Sequence, residues 1–224
     1  MVSANQEYKL GFFSPPNTTN RYLGIFFSLS EETVIWVANR DTPLKDSSGA
    51  VALSRDGNLV VLDGTNRTVW STKLTTSLVS PVVQILDTGN LVLREEDSGD
   101  ALWESFSHPT DVMVQGMRLS QNVNTGKQVD TVVFSPVLVL LTAWKSATDP
   151  AVGSFTGGLD AASAAPQLVV WDEGRPHWRS GPWNGLIFLG IKEMFYAYLD
   201  GFSQCDSEVV EWGGEEMGRG DGVS

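Results

Sequence analysis

Between Ser54 and Trp70 the chain reads SRDGNLVVLDGTNRTVW, and Asp56, Asn58 and Val60 stand two residues apart. On a strand, alternate side chains share one face. A carboxylate next to a carboxamide on such a face offers the acceptors and donors that sugar hydroxyls need. The same residues have a second reading. Asp-Gly-Asn is turn chemistry, because Asp and Gly favour the αL and Asx-turn geometries that begin a hairpin strand. Both readings stay open at this point.

Little else in the chain has the spacing of a reactive site. Cys205 is the only cysteine, and the two histidines, His108 and His177, are far from it in sequence. Three such scattered residues make no Cys/His zinc site. No paired carboxylates have the look of a glycosidase. The sequence gives no reason to expect a catalytic residue, a metal or a cofactor. Asn17-Thr18-Thr19 and Asn66-Arg67-Thr68 are N-glycan acceptor sequences if the chain is secreted. The net charge of −12 opposes nucleic acid and anionic membrane surfaces, whose partners need a basic face.

Ladders of this kind need strands to carry them, and the composition supplies strands. Of 224 residues 42% are hydrophobic and only 19% charged, with 22 Gly, 10 Pro and 8 Trp, which favours an all-β chain with many turns. A period is visible in Trp36, Trp70 and Trp103, spaced by 34 and 33 residues. GNLVVLDGTNRTVWST and GNLVLREEDSGDALWES align from Gly57 and Gly89, and RYLGIFFSLSEETVIWVAN follows the same plan. Each unit is a strand, a polar turn and a strand closing on Trp. Such copies bury their apolar faces only against one another, so the three tryptophans are expected in a shared core. The longest apolar run, Thr131 to Trp144, holds Pro136 and is too short to span a bilayer. No signal peptide is read at the start.

YKLGFFSP, NRYLGIFF, TVIWVANRDTPLKDSSG, GNLVVLDG, VWST and LDTGNLVLRE together resemble the bulb-type lectin domain of plant S-domain receptor-like kinases and S-locus glycoproteins. LWESFSHPTDVMVQGMRL, AWKSATDPAVGSFTGGLD, PQLVVW and RSGPWNGLIF are similar to the blocks that follow in that family, so the likeness covers about 7–128 and 142–190. It implies a pseudo-threefold β-prism for residues 1–115, lacking the start of its first repeat. A partial S-locus glycoprotein domain is then expected over 116–198, and a disordered, acidic, Gly-rich tail over 199–224. The tail carries six acids against Arg219 between Cys205 and Ser224, and its composition leaves it without a core. The apolar stretch 129–140 has no counterpart in the family pattern.

In that family each sugar site follows Gln-x-Asp-x-Asn-x-Val-x-Tyr, with Val against the sugar's apolar patch. The second repeat here reads Ser54-x-Asp56-x-Asn58-x-Val60-x-Leu62, so two of five positions depart. The third reads Leu86-x-Thr88-x-Asn90-x-Val92-x-Arg94 and keeps only Asn90 and Val92, while the first offers no recognisable version. The resemblance implies a mannose-type glycan, a receptor ectodomain or a small secreted peptide as partner, and an extracellular or plasma-membrane location. No Gly-rich nucleotide loop, catalytic Asp loop or DFG is present, so the family's kinase has no counterpart in these residues. A protein-binding or decoy fragment with degenerate sugar sites, or a truncated product without function, are the alternative readings.

Overall fold

A computed structural model describes residues 1–97, 99–117, 119–122, 139–160, 165–184, 187–191 and 209–212. The chain divides into two units, Met1–Met113 with Thr142–Ser154, and Val114–Leu141 with Phe155–Ser224. The expected apolar insertion at 129–140 falls outside the described residues except for its last two positions.

The first unit is built from three antiparallel three-stranded sheets in sequence order. They are β1 (Tyr8–Phe13), β2 (Tyr22–Phe27) and β3 (Ser30–Val37); β4 (Ala50–Leu53), β5 (Leu59–Leu62) and β6 (Thr68–Ser71); and β7 (Pro81–Ile85), β8 (Leu91–Glu95) and β9 (Trp103–Glu104). The register exposes the repeat more sharply than the letters do. Trp36 pairs with Ile25, Trp70 with Val61 and Trp103 with Leu93. Ile25, Val61 and Leu93 are each fully buried. One middle-strand aliphatic and one third-strand tryptophan per sheet thus form the shared interior.

The three indoles meet edge to face. Ring centroids are 5.7 Å apart for Trp36–Trp70, 5.8 Å for Trp36–Trp103 and 5.7 Å for Trp70–Trp103, with interplanar angles of 77°, 69° and 76°. T-shaped contacts set each ring's positive edge on its neighbour's negative face, worth about 0.5–1.5 kcal/mol per pair beyond area burial. Trp36 and Trp103 are buried, whereas Trp70 is only half-buried.

Three tight turns share one hydrogen-bond pattern. Ser54 N–H donates to Asn58 O and Gly57 N–H to Ser54 O, and Leu86–Asn90 and Asp63–Arg67 repeat this arrangement. Gly57 (φ 81°) and Gly89 (φ 86°) stand at the fourth, left-handed position, and Asn66 (φ 63°) fills it in the third turn. This is the three-residue hairpin loop of a type I turn followed by a bulge. A Cβ on Gly89 would lie 2.8 Å from Tyr8, so neither backbone nor neighbours tolerate a side chain there.

The segment 142–154 joins the same unit through Arg40 and a ring contact of Trp144. Leu141–Ser146 (β11) and the start of Asp149–Asp160 (β12) form a hairpin. Arg40 Nε donates to Pro150 O at 2.7 Å, and Nη2 to Thr142 O at 3.1 Å and Ala143 O at 3.0 Å. Trp144 stacks on Phe13 beside buried Tyr22, Val34 and Val37.

In the second unit the end of β12 pairs with β13 (Gln167–Asp172), which pairs with β14 (Arg175–Arg179). Leu159 and Val169 are buried between them, and Ser180 Oγ accepts from Leu168 N–H at 2.9 Å. Trp183 and Phe188 are buried and in ring contact at 5.1 Å, while Trp178 is 43% exposed. Leu119–Asn122 (β10) pairs antiparallel with Val209–Trp212 (β15), which lies inside the acidic tail. The fold class is therefore all-β, as the composition and repeat require. In the tail, this strand is the only described part.

Two measurements test these contacts. Trp36→Ala is expected to cost about 3–5 kcal/mol in urea unfolding, since it opens the centre of the triangle. Asp63 accepts from Thr65 N, Thr65 Oγ1, Arg67 N and Arg67 Nε at 2.7–3.1 Å. These bonds, the Thr65 hydroxyl first, hold its carboxyl down to about 2. Its contribution is complete above the ordinary carboxylate range and lost as pH falls through about 2. An NMR titration is expected to give Asp63 a midpoint near that value, and a midpoint near 4 would refute the bonding.

Candidate functional site

The residues singled out in the sequence lie at the entrance of β5 and at the equivalent entrance of β8. Because the turn ends at Asn58, its side chain points inward at the point where β5 leaves the hairpin. Asn58 is 4% exposed. Its Oδ1 accepts from Thr72 Oγ1 at 2.8 Å and from Leu74 N–H at 2.7 Å, and its Nδ2 donates to Asp56 Oδ2 at 3.0 Å and to Leu74 O at 3.4 Å. Two donors and two acceptor sites are all that a carboxamide has. Asn58 is saturated by the protein.

Asp56 differs. It is exposed, and its carboxylate accepts from Ser54 Oγ and from Asn58 Nδ2. The Ser54 bond first, and then the Asn58 bond, lower its pKa below the ordinary value. It is therefore ionised at neutral pH, with lone pairs still facing solvent. Val60 is 5% exposed and paired between Ala52 and Ser71, inside the sheet. Of the ladder's three members, one faces water.

The third repeat reproduces the clip with different residues. Asn90 Oδ1 accepts from Ser105 Oγ at 3.1 Å and Phe106 N–H at 3.2 Å, and Nδ2 donates to Glu104 Oε2 at 2.9 Å. Glu104 thus provides, from the neighbouring strand β9, the carboxylate that Asp56 provides from the turn before β5. Val92 is 4% exposed. Asp87 turns away and accepts from Asn5 N–H at 2.7 Å. In the first repeat the register puts Tyr22 opposite the asparagine position. There Asn39 serves instead, accepting from Leu23 N–H at 2.8 Å and donating to Arg21 O and Thr42 O.

Sequence reasoning missed the partners Thr72 and Ser105, whose hydroxyls also accept from Leu59 N–H and Leu91 N–H. Their signal was available: each stands two residues after its repeat's tryptophan. Asn17 and Asn66 are exposed at turns with positive φ, 59° and 63°. A cavity of about 620 Å³ opens beside the indole triangle, where the third strands of all three sheets end. Among the described residues no group of three His, Cys, Asp or Glu side chains is placed to hold a metal, and no helix is long and apolar enough to cross a membrane.

Residues 33–134 match the family described as D-mannose binding lectin. The chain is 45% identical over 209 residues to the G-type lectin S-receptor-like serine/threonine-protein kinase B120 of Arabidopsis thaliana, covering 90% of this chain and 23% of that protein. It is 39% identical over 199 residues to S-locus-specific glycoprotein S6 of Brassica oleracea, covering 86% of this chain and 43% of that one. The chain thus spans about a quarter of the receptor kinases it resembles. Among solved structures, a Japanese Marasmius oreades lectin aligns with TM-score 0.35 at 20% identity, over 47% of this chain and 77% of that one.

The clip geometry separates stability from recognition. Asn58→Ala and Asn90→Ala each strand buried donors and are expected to cost about 2–3 kcal/mol in denaturant unfolding. Asp56→Ala, on an exposed carboxylate, is expected to leave the unfolding midpoint nearly unchanged.

Proposed function

We propose that this chain, whose residues 33–134 match the D-mannose binding lectin family, is a non-catalytic recognition module that binds mannose-type carbohydrate. The observation that carries the reading is Asp56. Its ionised carboxylate is held at the mouth of β5 in the spacing of the family's sugar ladder and remains open to solvent. Asn58 and Val60 shape that mouth from behind it. With Ser54 folded onto Asp56 and Leu62 in place of a phenol, few groups are left to replace the hydration of a sugar hydroxyl. The affinity is therefore weak, in the millimolar range of about −4 kcal/mol. Asn90 and Val92 form the poorer copy, since Thr88 replaces the carboxylate. A threefold prism is the proposed frame for these mouths. The same proposal places the chain with the extracellular recognition portion of receptor kinases, in roles such as recognition of pollen.

A second reading is favoured by the saturated amide of Asn58 and by the three bonds that hold the amide of Asn90. With those groups committed to the fold, the module binds a protein partner, a receptor ectodomain or a secreted peptide, and the ladder is architectural. Retention on immobilised mannose decides between them. The first reading expects retardation of the full chain, lost in Asp56→Ala and competed by free mannose. No retardation, or retardation unchanged in Asp56→Ala, removes the sugar reading and leaves the protein partner.

A further inference from the structure

The cavity beside the indole triangle is not used by either reading. It is lined by Trp36, Trp70 and Trp103, by Lys73 and Arg40, and by His108, with backbone and small side chains between them. Three of its properties bear on what it would hold.

The first is its hydrogen-bonding character. Trp36 Nε1 donates to His108 O at 2.9 Å. No hydrogen bond is made by the indole N–H of Trp70 or of Trp103 among the described residues, and neither atom is sealed from solvent as an orphaned polar group. Two donors are therefore available where the threefold counterpart is occupied. A donor without an acceptor selects for an acceptor-rich ligand.

The second is charge. The chain carries −12 overall, yet the charged side chains of this cavity are both cations, with no carboxylate in its wall. Arg40 is committed to the carbonyls of Thr142, Ala143 and Pro150. Lys73 is not: it is exposed, and its ammonium makes no hydrogen bond or ion pair among the described residues. Its backbone sits at φ 55°, a left-handed conformation uncommon for a lysine, which carries the side chain out of the β6 strand beside the cavity.

The third is shape and surface. Trp70 is half-buried, so part of its ring is open to a ligand, and the His108 ring stacks on Trp103 at 5.4 Å and 15°. Flat aromatic walls with polar groups at the edge suit a pyranose ring, whose C–H face is apolar and whose rim is hydroxylated.

We propose that this cavity is a second carbohydrate site, separate from the Asp56 mouth, and that it takes an acidic sugar, a hexuronate unit. Its carboxylate pairs with the Lys73 ammonium, its ring lies against Trp70, and ring or hydroxyl oxygens accept from the Trp70 and Trp103 indole N–H groups. Neutral sugars lack the group that Lys73 would pair, and discrimination follows from that one charge.

The test titrates the full 224-residue chain with sodium D-glucuronate and, separately, with D-glucose and D-mannose, following indole N–H resonances and tryptophan emission. Glucuronate is expected to move the Trp70 and Trp103 indole signals and to bind at least about tenfold more tightly than glucose, a difference that one charge-assisted bond supplies. Lys73→Asn removes the cation and suits the left-handed backbone, so it folds. It is expected to abolish the preference, and Lys73→Arg to retain it. Trp70→Phe keeps the ring and is expected to weaken glucuronate several-fold. Equal responses to glucuronate and glucose, or an unchanged preference in Lys73→Asn, would overturn the proposal. Asp56→Ala is expected to leave the glucuronate response intact, so failure at one site is distinguishable from failure at the other.

Discussion

Everything in the first unit is arranged around the contact of three indoles. Each of Trp36, Trp70 and Trp103 pairs across its sheet with a fully buried aliphatic residue, Ile25, Val61 and Leu93, and meets the other two tryptophans at nearly equal distances. No three-stranded sheet of this size buries its apolar face alone. An edge-to-face triangle accepts three rings only when all three sheets are present together. This explains why the sheets carry one tryptophan each and why the spacing between them is so even.

A second constraint follows from the turns that feed these sheets. A middle strand that leaves a tight hairpin at the edge of a core brings backbone N–H groups into the interior before the ladder begins. The Thr72 and Ser105 hydroxyls accept from Leu59 and Leu91 N–H there and donate to Asn58 and Asn90, which complete each clip, and Asn39 accepts from Leu23 N–H where the first repeat has Tyr22. A buried carboxamide is tolerable only when all its bonds are made. At Asn58 all four are made by the protein, which moves the exposed chemistry of the ladder onto Asp56 alone.

Polar burial also governs the 142–154 segment. Arg40 loses water, which lowers its pKa, while Asp111 and Asp41 oppose that shift. Asp111 is in turn pushed up by burial, and Asp111 Oδ1 and Trp144 Nε1 lie buried without a partner that meets hydrogen-bond geometry. Arg40 answers with three backbone carbonyls, a use of the guanidinium fork that lysine has no geometry to copy.

The sequence by itself determined the all-β class, the three repeats and the turn positions. These depend on local chemistry: alternation, Gly or Asn at left-handed positions, and a tryptophan recurring at a fixed interval. It also held the ladder's residues and spacing. What it did not hold was the direction in which each side chain would be spent. Asp56 and Asn58 stand two residues apart in the turn that feeds β5, yet Asn58 is saturated with the help of Thr72 and Leu74 while Asp56 meets water. Those partners lie 14 and 16 residues further along and reach Asn58 only when β6 folds back. The cation-lined cavity was likewise invisible, because Lys73, Trp70, Trp103 and His108 converge only once the third strands of all three sheets are assembled. Local propensity sets strands and turns; which polar group remains free is decided by packing across the chain.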